Sequence, residues 1–223
     1  MEFTSLHAAR DMYSRAAWTL GFAVVVFINS RGEYPGPALQ VLIVLGLISL
    51  AFVALGYALN WFNTTGQLQV REQILDSLQL QGSERVLSLS HDLGIAVAKR
   101  LKSGKVISLG DTEANEAARE TAKHAALSDK IRFESGDVTK KLSYPDANFD
   151  TVISSRALAH LDPAQAVKEL LRVLKPSGLL TIHEIGDTAA YERLLRESSL
   201  SDIVVSPTTL PFGLGGRILS ARK

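Results

Sequence analysis

The residues of this chain that are best suited to chemistry are three carboxylates and a histidine, each placed soon after a short apolar run. The carboxylates are Asp92, Asp111 and Asp137, and the histidine is His160. A carboxylate in such a position can accept hydrogen bonds from the hydroxyl or amino groups of a bound ligand. An imidazole near pH 7 can act as a general base. The pattern therefore predicts that a ligand binds near these side chains, and His160 is a candidate base if a proton must be removed.

Composition excludes several other kinds of chemistry. The sequence has no cysteine, which excludes disulfides, thiolate metal sites and a cysteine nucleophile. Its five histidines show no paired ligand spacing, so no metal site is expected. The net charge of +1 gives no general attraction for nucleic acid. The sequence also lacks a Gly-x-Ser-x-Gly elbow and a phosphate-binding loop that ends in Lys-Ser/Thr.

The second part of the chain alternates β-type runs with helical segments. The predicted strands are Val86–Ser90, Lys105–Leu109, Lys130–Glu134, Phe149–Ser154, Gly178–Ile185, Ile203–Val205 and Arg217–Ala221. The predicted helices are Gln67–Leu80, Ile95–Leu101, Thr112–Leu127, Pro163–Leu174 and Thr188–Glu197, with Asp162 as the N-cap before Pro163. This alternation predicts an α/β, doubly wound, mostly parallel sheet with right-handed crossovers. Ligands of such sheets bind at the carboxyl ends of the strands.

A family resemblance is carried by ordered motifs between Ile131 and Leu180. They are Gly136-Asp137-Val138, Pro145-Asp146, Phe149-Asp150, Ser154-Ser155 and Leu174-Lys175-Pro176. With these motifs the sequence resembles the class I S-adenosylmethionine-dependent methyltransferases from about Gln67 to Lys223. It also resembles a bacterial subgroup with two N-terminal membrane segments. The resemblance implies S-adenosylmethionine as cofactor and a Rossmann-like, seven-stranded sheet whose last strand is antiparallel, with Gly213, Gly215 and Gly216 suiting the return before that strand.

The glycine loop of the family is degenerate in this chain. The aligned segment is Ser88-Leu89-Ser90-His91-Asp92-Leu93-Gly94, in which only the last glycine is retained. Ser88 replaces the acid, and Ser90 and Asp92 replace the first two glycines. The resemblance still implies that Ser88, Ser90, Asp92 and Gly94 line the cofactor site. The alternative for Asp92 is a helix N-cap, and His91 is expected to be exposed.

The remaining predicted cofactor contacts also rest on the resemblance. Asp111 lies one residue after Gly110, the position that aligns with the family's ribose-binding acid, and a helix N-cap is its alternative role. Asp137 and Val138 align with the adenine contacts, and an ordinary turn is the alternative there. Ser154 ends the fourth predicted strand, where the family places its ligand.

The acceptor side is marked by two polar positions. His160 aligns with a histidine that commonly lines the family's substrate pocket, and its alternative is a surface histidine beside Asp162. His183 and Glu184 end the fifth predicted strand near the pocket mouth, and alternation predicts that their side chains point to opposite faces.

The N-terminal part of the sequence is strongly apolar. Ala38–Phe62 has 25 residues without a charge, enough for a helix to cross a bilayer, with a buried core helix as the alternative. Ala16–Ile28 is shorter. It predicts a second span over Met12–Ser30 if Arg15 snorkels outward, and a cleaved signal peptide is the alternative. Between them, Arg31–Pro37 predicts a tight turn, and hence a helical hairpin.

These observations predict three parts: a membrane-anchoring hairpin over 1–62, a linker and leading helix over 63–84, and a methyltransferase-like domain over 85–223. Arginines outside the turn favour a multi-pass membrane protein with its C-terminal domain in the cytoplasm. The expected partners are the lipid bilayer and a small, hydrophobic methyl acceptor, with no nucleic acid. The expected function is a membrane-attached methyltransferase. Two alternatives remain: a catalytically lapsed membrane scaffold of the same fold, and a nicotinamide-dependent oxidoreductase.

Overall fold

The computed structural model describes residues 11–22, 25, 35–61, 65–209 and 216–223. The chain divides into two compact units, Met1–Gln69 and Val70–Lys223. The predicted parts 1–62, 63–84 and 85–223 stay predictions. The predicted span Met12–Ser30, the predicted turn, and the return at Gly213 and Gly215 lie partly or wholly outside the described residues.

Two helices are described in the first unit. Residues 11–22 are helical (α1), and α2 runs over Pro35–Trp61. Within α2, Ile43–Trp61 is the single stretch of the described residues that is long and apolar enough to cross a membrane. Only 11% of that window is buried, which argues against a buried core helix. The prediction of a turn through Pro37 was wrong, because α2 already begins at Pro35. Proline is tolerated in a first helical turn, where the missing N–H has no partner to lose.

The second unit alternates strands with helices. Its strands are β1 (Arg85–Ser88), β2 (Lys105–Gly110), β3 (Ile131–Ser135), β4 (Phe149–Ser155), β5 (Leu174–Glu184), β6 (Ser201–Val205) and β7 (Arg217–Arg222). The helices are α3 (Gln67–Ser77), α4 (His91–Arg100), α5 (Thr112–His124), α6 (Pro163–Val173) and α7 (Ala189–Glu197). As predicted, the Asp162 carboxylate caps α6, accepting from the N–H of Ala164, and Pro163 follows it.

The seven strands form one sheet in the order β3-β2-β1-β4-β5-β7-β6. Neighbouring strands from β3 to β5 are parallel, and β7 is antiparallel to both β5 and β6. The doubly wound sheet with an antiparallel last strand is therefore confirmed. α4 and α5 contact each other, and so do α6 and α7, as two crossover layers would. The central strands are runs of buried apolar residues because both faces of a parallel sheet are covered.

The largest differences from the sequence-based prediction are at two boundaries, each displaced by four residues. α4 begins at His91 rather than Ile95, because the N–H of Gly94 already bonds to the carbonyl of Ser90. β5 begins at Leu174 rather than Gly178, because Leu174 pairs with Phe149 before the register shifts. A bulge of this kind lets a strand continue past a proline such as Pro176.

Two family motifs tie the amino ends of the central strands together. The Asp150 carboxylate accepts hydrogen bonds from the backbone N–H of Arg85 at 2.8 Å and from Nζ of Lys175 at 2.7 Å. The Arg85 guanidinium also lies 5.4 Å from the centroid of the Phe149 ring. These motif residues therefore hold β1, β4 and β5 in register at the edge opposite the carboxyl ends.

The loop before β2 requires a glycine at position 104, because there is no room there for a side chain. A Cβ at this position would lie 2.3 Å from the carbonyl oxygen of Glu84. We expect Gly104→Ala to lower the free energy of unfolding by about 2 kcal/mol, since the backbone must shift. The melting temperature should fall by roughly 4–8 °C. Thermal unfolding of the full chain in mild detergent measures this, with the exposed neighbour Ser103→Ala as control. Equal melting of both variants would contradict the clash.

Candidate functional site

The order of the strands reverses between β1 and β4, so the loops that leave these strands diverge at the carboxyl edge. Ser88, the last residue of β1, pairs with Ser108 of β2 and with Ile153 of β4. The N–H of Leu89 continues this pairing with a 2.9 Å bond to the Ile153 carbonyl. A crevice at such a switch point is where ligands of open α/β sheets bind. The structure brings most of the predicted cofactor contacts to this edge.

The altered glycine loop is held by its own hydrogen bonds. The Ser88 hydroxyl, fully buried, donates to the carbonyl of Ser90 at 2.6 Å and accepts from the Ser90 N–H at 3.3 Å. Ser90 is the N-cap residue of α4, although its side chain makes no capping bond. Asp92 lies exposed in the first turn of α4, so its predicted N-cap role was wrong. A carboxylate in that turn is nevertheless favoured by the helix dipole.

Gly94, the retained glycine, permits α4 to approach the sheet closely. It is buried, and a Cβ there would lie 3.2 Å from the Ser108 hydroxyl and 3.3 Å from the tip of Ile131. Gly94 therefore has a packing role that does not depend on a ligand.

His91 is the residue of this edge whose position the sequence did not reveal. Its ring is partly buried rather than exposed, with Nδ1 2.8 Å from the Ser108 hydroxyl and an edge-to-face contact with Phe133 at 5.4 Å. Its Nε2 lies 2.2 Å from the point where Gly110 would carry a Cβ. Burial lowers the pKa of His91, against the opposing effect of Asp92 and Asp111, so the ring is neutral at pH 7. The only sign of this arrangement in the sequence is Gly110, which stands where the family pattern has an acid.

Asp111 and Asp137 both lie at the carboxyl edge of the sheet, and both already accept hydrogen bonds from neighbouring residues. Asp111 accepts from the N–H of Ala114 at 2.7 Å as the N-cap of α5, which confirms its alternative role. Asp137 accepts from the N–H and hydroxyl of Thr139, at 2.9 and 2.6 Å, and pairs with Lys140 at 3.3 Å. The bonds from Thr139 are the main reason that the pKa of Asp137 is lowered. Both carboxylates are exposed, so each keeps some capacity to accept from a ligand.

Two buried polar atoms at the same edge have no hydrogen-bond partner among the described residues. They are Oδ1 of Asn115 and Oγ of Ser154, whose residues are 2% and 0% exposed. The amide nitrogen of Asn115 bonds weakly to the carbonyl of Gly110 and to the hydroxyl of Ser135. Because buried polar atoms are rarely left unsatisfied, both atoms indicate a bound water or ligand at this edge. Val138, the other predicted adenine contact, is buried in the hydrophobic core.

The acceptor side is built by the ends of β4 and β5. The Ser155 hydroxyl lies 2.9 Å from Nδ1 of His183, and the buried Glu184 carboxylate accepts from the N–H of Leu158 at 3.0 Å. Tyr191 donates its hydroxyl to the carbonyl of Leu158 at 2.9 Å. His160, two residues further on, is exposed. β5 and α7 thus fix the segment that carries the predicted base.

Comparison with known proteins agrees with this geometry. Residues 95–182 match the family model described as a methyltransferase domain. The methyltransferase GfsG of Streptomyces halstedii is 29% identical over 125 residues, which are 52% of this chain and 43% of that protein. A sterol 24-C-methyltransferase of Aspergillus fumigatus is 37% identical over 78 residues, 34% of this chain and 20% of that protein. This chain thus covers less than half the length of either relative.

Solved structures agree on the fold. A putative S-adenosylmethionine-dependent methyltransferase of Methanococcus maripaludis superposes with a TM-score of 0.58 at 19% identity, covering 70% of this chain and 84% of that one. The [4+2]-cyclase SpnF gives the same score at 18% identity, covering 70% and 80%. The second unit therefore has the class I methyltransferase fold, and its sequence match supports the predicted enzyme class, a methyltransferase.

Glu184 gives a test of the acceptor side. Burial raises the pKa of Glu184 above its ordinary value of 4.5. Because the folded state holds the proton more tightly, the resulting stability is present below pH 4.5 and is lost as pH rises through the folded pKa. Glu184→Gln should therefore gain stability relative to the native chain as pH rises. Glu184→Ala should lose about 1–3 kcal/mol, since the Leu158 N–H loses its acceptor.

Denaturant unfolding of the three proteins between pH 4 and 8 checks both effects. A native chain and Glu184→Gln variant whose stabilities stay parallel over that range would show that the carboxyl is not perturbed.

Proposed function

We propose that this chain is an S-adenosylmethionine-dependent methyltransferase that holds its cofactor across the carboxyl ends of β1, β2 and β3. The observation that carries the proposal is the methyltransferase family match over residues 95–182, the span that joins α4 to β5 across the switch point. The family and its structural neighbours support S-adenosylmethionine as the cofactor.

The residues at this edge suit such a cofactor. Oδ1 of Asn115 and Oγ of Ser154 are buried acceptors that lack partners among the described residues. Asp137 adds an exposed, ionised carboxylate, which can accept from an amine. The backbone donors at the N-terminus of α4 would suit the carboxylate of the cofactor, although Asp92 in the first turn would offset part of that attraction. The family's ribose acid is absent, with Gly110 in its place.

The bound cofactor would supply a methyl group already activated on a sulfonium, so the protein mainly positions the two reactants. Glu184 and Tyr191 hold the Leu158 segment against the ends of β4 and β5. His160, exposed beyond that segment, is the candidate base if the acceptor must lose a proton. The Ser155–His183 pair stiffens the same wall through its 2.9 Å hydrogen bond.

A catalytically lapsed scaffold is the weaker alternative. Ser90 and Asp92 motivate it, because they replace two glycines of the cofactor loop. The fold alone does not decide the reaction, since a structural neighbour of this chain is named as a cyclase. The sequence match to a methyltransferase domain and the unsatisfied atoms of Asn115 and Ser154 favour a chain that still binds a ligand.

Cofactor binding tests the proposal directly. S-adenosylmethionine at ~100 times its dissociation constant should add about 2.7 kcal/mol to the stability of the full chain in mild detergent. This amounts to several degrees in melting temperature. Asp137→Ala should weaken binding, because a carboxylate that accepts from the cofactor is lost, and calorimetry measures the dissociation constants.

The matched control is Asp129→Ala, an exposed aspartate just before β3, at the opposite edge of the sheet. It should bind like the native chain. A folded native protein that shows no thermal shift at millimolar S-adenosylmethionine would reject the methyltransferase and favour the scaffold.

We also propose that α2 attaches the enzyme to a membrane and that its acceptor is small and hydrophobic. The support is the uncharged stretch Ile43–Trp61, with large apolar side chains exposed along it, among them Leu47 at 62% and Leu50 at 65%. Exposed apolar surface on this scale is costly in water and favourable in lipid. A sterol 24-C-methyltransferase among the relatives acts, by its name, on a hydrophobic substrate, which supports the acceptor class.

Membrane extraction tests the attachment. The full chain should stay with the membrane pellet after an alkaline carbonate wash. Leu50→Arg with Val53→Arg should weaken insertion, because arginine near the centre of a span costs about 2.5–3.5 kcal/mol per residue. Leu68→Arg, at an exposed leucine of α3 outside the span, is the control and should stay membrane-bound. Release of the native chain by the wash would reject α2 as a spanning helix.

A further inference from the structure

The space beside Gly110, the last residue of β2, is filled by the side chain of His91, the first residue of α4. Nε2 of His91 lies 2.2 Å from the point where a Cβ at Gly110 would stand. A side chain at 110 and the His91 ring in this position are therefore mutually exclusive. The group presented at the carboxyl end of β2 is an imidazole nitrogen supplied by the first residue of α4.

A second polar atom faces the same point. Oδ1 of Asn115, on α5, lies 3.4 Å from it, and this oxygen is buried without a partner among the described residues. Asn115 is itself only 2% exposed. An unsatisfied acceptor and an imidazole nitrogen thus lie close to each other, which is the arrangement expected where a ligand with hydroxyl groups completes the hydrogen bonding.

The His91 ring is held rigidly enough to present Nε2 in one direction. Nδ1 is bonded to the buried hydroxyl of Ser108, and the ring lies edge-on to Phe133. If Ser108 donates, Nε2 carries the proton and donates to a ligand; if Ser108 accepts, Nε2 accepts. In either tautomer one hydrogen bond is available to a hydroxyl group.

We propose that His91 and Asn115 form the contact for the ribose hydroxyls of the adenosyl cofactor, in the place that a side chain at residue 110 would occupy. The inference rests on the proposed function. Both groups are uncharged at neutral pH, since burial keeps the pKa of His91 low. They therefore complement hydroxyl groups better than the carboxylate or ammonium of the cofactor. Asp111, the next residue along the chain, uses its Oδ1 to cap α5.

The test compares S-adenosylhomocysteine with its analogue lacking both ribose hydroxyls, by calorimetry on the full chain in mild detergent. The native chain should bind the natural nucleoside about ten-fold more tightly. His91→Phe keeps the ring and its contact with Phe133 but removes the nitrogen, so this preference should fall to near unity. Gly110→Ala, which displaces the ring by its Cβ, should lower the preference in the same way. Asp129→Ala, at the opposite edge of the sheet, is the control and should leave the preference unchanged.

The possible outcomes separate the two proposals. A native chain that binds neither ligand overturns the proposed function and this inference with it. A native chain that binds both ligands equally overturns the inference alone. The inference also fails if His91→Phe keeps the native preference, or if it weakens both ligands by the same factor. Loss of the preference in a further variant, Asp111→Asn, but not in His91→Phe would assign the ribose contact to Asp111 instead.

Discussion

The second unit, Val70–Lys223, depends on the hydrogen bonding of β1 along both of its edges. β1 has four residues, and Val86, Leu87 and Ser88 are fully buried between β2 and β4. A parallel strand in that position must be covered on both faces, which the paired layers α4–α5 and α6–α7 accomplish. The chain leaves β1 toward β2 and reaches β4 only after β3. The carboxyl edge therefore opens beside β1, and the unsatisfied oxygens of Asn115 and Ser154 lie at this edge.

Much of the fold was predictable because it follows from local patterns. Unbroken apolar runs such as Val152–Ile153 mark buried parallel strands, and Asp162 followed by Pro163 marks the start of a helix. The exceptions have tertiary causes. His91 and Asp92 resemble loop residues, yet α4 includes them because Leu93 and Val97 are buried against the sheet. β5 starts early because a register shift opposite Phe149 admits residues that resemble a turn.

The location of the site residues could be predicted from the sequence, but the hydrogen bonds that they form could not. Spacing places Gly94, Asp137 and Val138 at the carboxyl edge, since each follows a strand. Spacing does not reveal that a carboxylate oxygen of Asp111 caps α5, nor that Asp137 accepts hydrogen bonds from Thr139. Nor does it bring together His91 and Ser108, which are 17 residues apart. Such contacts depend on rotamers and on the distance between neighbouring strands, which no local pattern specifies.

The exclusion between His91 and any side chain at 110 has a consequence for how this sequence can change. An acid introduced at 110 while His91 remains would displace the ring, because Nε2 lies 2.2 Å from the position of the new Cβ, and would break the bond between the ring and Ser108. If the histidine is replaced first, the intermediate has neither group at the end of β2. Either order of substitution therefore passes through a state in which the polar group at this strand end is lost or displaced. Residues 91 and 110 are thus epistatic, and the effect of a change at one depends on the residue at the other.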